Sequence, residues 1–115
     1  VKAAEAAECA GLQGAFWKMH DELFRRRKFD DAALRETAVA TGLKANEFGT
    51  CMSGATTAKV QADTQRADAL EVTGTPTFFV GRLTQDGRLQ VTDRISGARP
   101  VVEFRRALDS ALRPR

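Results

Sequence analysis

The chain has 115 residues, enough for one domain and too few for two that each bury a core. Its Leu, Val, Phe and Ile residues total only 25, yet a net charge of +3 keeps the composition outside the disordered class. Basic and acidic residues stand at 9 and 8 over positions 1–60 and at 9 and 7 over 61–115, no Tyr occurs, and no apolar run nears ~20 residues, so neither nucleic-acid binding nor a membrane span is expected.

Residues 2–28 are Ala-rich and then amphipathic, with Leu12, Phe16, Met19, Leu23 and Phe24 forming the expected buried stripe of one long helix. Gly11 and Gly14 within it predict a bend or a close approach to another element. Arg25-Arg26-Arg27-Lys28 reads as a solvated helix end, as does the tail with Arg105, Arg106, Arg113 and Arg115. Asp30 or Asp31 caps a short helix carrying Leu34, Ala38 and Thr41, which Gly42 closes. Asn46 is the expected cap of a further short helix with Phe48, Cys51 and Met52 on one face, ending at Gly54. Thr56 or Thr57 opens a longer helix through Val60, Thr64, Ala67 and Leu70.

After Gly74 the period becomes that of strands. Thr77–Val80 is a short β-prone run, Leu89, Val91 and Ile95 alternate with polar residues, and Asp86-Gly87 between them is a hairpin signal. Pro100 fits the first turn of a last helix whose Val101, Phe104, Leu108 and Leu112 share a face. Phe78 and Phe79 point to opposite faces of one strand, so both faces want cover, and a lone hairpin is marginal in water. The expectation is therefore a larger sheet with strands beyond this chain.

Several blocks in order carry a resemblance. Val72-Thr73-Gly74-Thr75-Pro76-Thr77-Phe78-Phe79-Val80 is similar to the segment leading into the cis-proline strand of thioredoxin-fold proteins. Glu8 to Phe24, Phe48-Gly49-Thr50-Cys51-Met52, and Ile95-Ser96-Gly97-Ala98 followed by Phe104 and Leu108 resemble the DsbA-like branch of disulfide oxidoreductases. The resemblance implies an α/β, thioredoxin-like fold of DsbA type with a helical insertion, incomplete here because the first strands are missing. It places the helical insertion at 1–71, the cis-Pro strand, hairpin and C-terminal helix at 72–112, and a tail at 113–115. The family's Cys-x-x-Cys should precede Val1, a position that is not Met and is followed by no charged-then-apolar leader, so a signal segment is expected to have been removed or never to have existed.

Function follows from the same resemblance. The chain reads as a member of a bacterial thiol-disulfide oxidoreductase family acting on protein or peptide thiols in the periplasm or outside the cytoplasm, inactive alone for want of the redox pair. Pro76 would pack against that pair, and the backbone of Thr75 would hold an extended peptide by strand addition. Cys9 and Cys51, 42 positions apart, lack the one-turn spacing that redox exchange needs; they are either two buried free thiols or a structural disulfide. Pro76 has the plain alternative of a trans loop, and His20, Trp17 and the Phe residues that of packing. Neither a metal nor a cofactor is expected. Two other readings stay open: a non-catalytic peptide-binding or assembly module that completes its sheet through a partner, a homodimer or strand exchange, and a glutathione-dependent transferase or isomerase relative.

Overall fold

The computed structural model of the chain describes residues 1–114, which divide into two compact units, the first Val1–Arg66 and the second beginning at Ala67. In the first, α1 (Lys2–Gly11), α2 (Phe16–Arg26), α3 (Asp31–Ala40), α4 (Ala45–Met52) and the larger part of α5 (Thr57–Ala69) follow one another without a strand among the described residues. α1 is rich in Ala, the best helix former, and its buried face of Ala6, Cys9 and Ala10 is small enough for the neighbouring helices to approach closely. Met19 and Leu23 of α2, Leu34 and Ala38 of α3 and Phe48 of α4 fill the space this leaves.

One expected helix is two. Gly14 takes φ +76°, and the Ala15 N–H donates to Ala10 O at 2.9 Å, so the chain turns between α1 and α2. The turn resets the helical phase. Leu12 is consequently 73% exposed and Phe24 72% exposed, and the buried stripe shrinks to Met19 and Leu23 with Phe16 at its margin. α4 also departs from expectation, since it begins at Ala45 with Lys44, not Asn46, at the cap. The Lys44 N–H donates to Gln13 Oε1 at 2.9 Å while Gln13 Nε2 donates to Lys44 O at 3.3 Å, a two-way clamp from the α1–α2 turn that does what a local cap would do.

Cys9 and Cys51 form a disulfide between α1 and α4, with Cα atoms 5.8 Å apart. Around it, Thr56 Oγ1 donates to Glu5 O at 3.4 Å and Thr57 Oγ1 donates to Glu5 Oε1 at 2.5 Å, so the buried Glu5 carboxylate does not lack a donor.

In the second unit, β1 (Thr77–Leu83) pairs antiparallel with β2 (Leu89–Ser96), and α6 (Val101–Leu112) packs on both strands. Gly87, at φ +82°, makes the expected turn. The register passes from Val80↔Asp93 to Gly81↔Val91, leaving Thr92 as the extra residue of a bulge, its hydroxyl on Val80 O at 3.3 Å. A Cβ on Gly81 would lie 2.1 Å from Gln90 O, so the close approach at the bulge requires glycine.

The face α6 buries is not the one its large residues mark. Ala107 and Ala111 are buried with Phe104 beside them, whereas Val101 and Leu112 are 69% and 76% exposed and Leu108 is exposed too. Small residues let the helix lie close on the hairpin, and its bulky stripe is left over. Phe104 meets Phe78 edge-on at 4.9 Å between centroids, opposite the buried Ile95, yet Phe78 remains 39% exposed because two strands and one helix cannot enclose it. Phe79, on the other face, is half-buried beneath the Arg94 guanidinium at 5.4 Å. Among the described residues, five helices, an antiparallel hairpin and a closing helix make the chain a mixed α/β one, as expected.

Candidate substrate-binding site

The loop 72–76 leads into β1 through Thr75 and Pro76, both exposed, joined by a cis peptide bond. It is held at two points. Pro76 O accepts from the Gly97 N–H at 2.7 Å, where β2 has just ended, and Thr77 Oγ1 donates to Gly74 O at 2.7 Å. Gly97 reaches Pro76 with φ +90°, which a residue bearing a Cβ would resist.

Arg94 stabilises the approach to this loop. Its Nη1 donates to Leu70 O at 2.9 Å and its Nη2 to Glu71 O at 2.6 Å, taking up carbonyls freed where α5 ends and Glu71 turns to φ +57°. The chain leaving α5 is thereby tied to the hairpin. That role was not visible in the sequence, because the bulge decides which β2 residue stands opposite Phe79.

Beside Gly97 a polar cleft of about 250 Å³ is lined by Asp93, Arg94, Ser96, Arg99, Glu103 and Arg106. Arg99 Nε donates to Glu103 Oε2 at 2.7 Å. That bond, with the charges of Arg99 and Arg106, holds the Glu103 carboxyl below its ordinary value and raises Arg99. The cleft thus carries three guanidinium groups against the two carboxylates of Asp93 and Glu103, and the sequence alone did not single out Arg94, Arg99 or Glu103 as neighbours of the Thr75–Pro76 loop.

Cys9 and Cys51 lie in the other unit, each in the last turn of its helix. The negative end of a helix disfavours a thiolate, the opposite of what a reactive cysteine needs. Cys9 is also only 1% exposed, with Thr56 Oγ1 at 3.7 Å as its polar neighbour. These surroundings suit a staple.

The sequence matches the family model of the DSBA-like thioredoxin domain over residues 1–109. Among curated proteins it is similar to Na(+)/H(+) antiporter NhaA 1 of Salinispora arenicola, 38% identical over 91 residues that make up 77% of this chain and 14% of that protein. It is also similar to NhaA 3 of Salinispora tropica, 41% identical over 80 residues (68% and 12%), and to NhaA 1 of Mycolicibacterium gilvum, 38% identical over 84 residues (68% and 13%). The chain therefore spans about a seventh of the curated relatives it matches. No solved structure matches it. With a family match running through both the helical unit and the hairpin unit, the chain belongs to the DSBA-like thioredoxin domain family.

Proposed function

We propose that the chain is the substrate-facing part of a thiol-disulfide oxidoreductase domain acting on protein or peptide thiols outside the cytoplasm. The observation that carries this reading is the exposed Thr75–Pro76 loop at the head of β1, in a chain matched by the family model over 1–109. Among the described residues β1 pairs only with β2, so its second edge is free to add an extended peptide alongside Thr75. Self-pairing of two copies through that edge is the competing use. The Cys9–Cys51 disulfide supports an oxidising compartment and serves as a staple. The redox pair is supplied from outside residues 1–115, whose two cysteines are taken up in that bond.

The shared stretch of the antiporters is, on this reading, a thioredoxin-type domain within longer proteins, and ion exchange is not assigned to this chain. Among the described residues no helix is long and apolar enough to cross a membrane.

The test is disulfide exchange with a reduced peptide, using the native polypeptide that contains these residues and glutathione disulfide as the oxidant that takes up the two electrons of each peptide disulfide formed. Turnover is expected, and it should survive Cys9→Ser with Cys51→Ser while Pro76→Ala lowers it. The isolated 115-residue chain should not exceed the uncatalysed rate. Loss of turnover in the double serine variant would move the redox centre to Cys9–Cys51, and peptide binding without any turnover by the native polypeptide would make the domain a non-catalytic binding module.

A further inference from the structure

α1 and α2 leave one side of the helical unit uncovered. An apolar groove of about 580 Å³ runs between them, its floor made of Ala3, Ala4 and Ala7 and its wall of Phe16, His20 and Phe24. Phe16, His20, Leu23 and Phe24 fall at i, i+4, i+7 and i+8, a ridge of the kind that normally packs into another helix. The alanines opposite present nothing beyond Cβ, so the axis of an incoming helix can approach to about 8–10 Å. Two helices with such a ridge and such a floor form two sides of a three-helix arrangement.

The charges around the groove are not balanced. Glu8, at one end, is already taken by Lys59 Nζ at 2.9 Å. At the other end Arg27, the left-handed cap of α2, has no carboxylate within ion-pair distance among the described residues, and neither has Lys28 beside it. Arg25 and Arg26 must share the single Glu22 carboxylate. The groove thus ends in excess positive charge, which complements the negative C-terminal end of a helix or carboxylates in its last turn.

We infer that the α1–α2 groove is the seat of an amphipathic helix, apolar along one face and acidic in its last turn, lying with that turn against Arg27 and Lys28. This inference does not depend on the proposed redox function.

Trp17, the single Trp, reports on the site, for it is exposed and its ring lies 5.0 Å from Phe16 and 5.1 Å from His20. The probe is a synthetic amphipathic peptide of about 18 residues with leucines at i, i+3, i+4 and i+7 and two glutamates in its last turn. Its addition to the full chain should shift Trp17 emission to the blue and saturate. Moving the glutamates to the first turn, or Arg27→Glu in the protein, should weaken binding at least about tenfold. Ala4→Glu should abolish it, and since Ala4 is exposed the variant should keep its helical circular dichroism. Equal binding of a scrambled peptide, indifference to the placement of the glutamates, or no shift at all would overturn the proposal. A shift produced by phosphatidylglycerol vesicles and not by the peptide would identify a lipid surface instead, and a concentration-dependent shift of the protein alone would identify a second copy.

Discussion

The two units bury apolar surface in very different ways. In the helical unit Met19, Leu34 and Phe48 are enclosed, alanines from two helices close the gaps, and a disulfide spans the core. In the hairpin unit full burial among the described residues is confined to Ile95, Ala107 and Ala111, while Leu83, Val101 and Leu112 stand in solvent. Enclosure needs elements on more than one side, and the helical unit supplies them from its own sequence. The hairpin unit has a single helix against two strands, so its backbone geometry and the hydrogen bonds of Arg94 must do what packing does elsewhere.

The largest effect should come from emptying the enclosed core. Met19→Ala is expected to cost the helical unit about 2–5 kcal/mol in denaturant unfolding, with a cavity that its disulfide keeps from collapsing freely. A loss under about 1 kcal/mol would mean that this unit is no better packed than the other. Gly81→Ala tests the opposite claim, that the hairpin depends on backbone approach. With Gln90 O in the way of the new Cβ, the expected cost is about 1–3 kcal/mol, read as faster amide exchange along β1 and β2.

The smallest effect should be common to both units. Hydrogen bonds from Arg25 and Arg26 lower Glu22 below its ordinary 4.5, and the bond from Arg99 lowers Glu103 likewise. A depressed carboxylate stabilises the fold above 4.5 and ceases to do so as pH falls through its lowered value. Thermal stability should therefore decline on acidification below that point, and Glu22→Gln or Glu103→Gln should each make the decline shallower by a small amount, since both pairs are at the surface. A steep dependence confined to one unit would show that charge, and not enclosure, is what separates them.

Apart from the single helix that Gly14 divides in two, element types and their order were legible because periodicity and punctuation agree: Gly42, Asp86-Gly87 and Pro100 stand where elements end, turn or begin. Which face of each element is buried was less legible. Leu12 and Phe24 fit the stripe only if the helix continues past Gly14, and Leu108 and Leu112 fit only if something large covers α6. Alanine misleads here, since Ala107 and Ala111 leave no pattern in hydrophobicity that distinguishes a close packing face from a filler. In the candidate site, Thr75 and Pro76 are recognisable locally, whereas Arg94 and the Arg99–Glu103 pair depend on a bulge and on where β2 ends.

The bond between Cys9 and Cys51 also changes what kind of object the helical unit is. Together with the intervening backbone it closes a covalent ring that contains all of α2 and α3 and most of α4. A single cut inside that ring, for instance in the exposed stretch 27–30, yields no separate piece until the sulfurs are reduced. The connectivity of this half of the chain is therefore that of a loop with two tails, and a nick inside it opens the loop without releasing either tail.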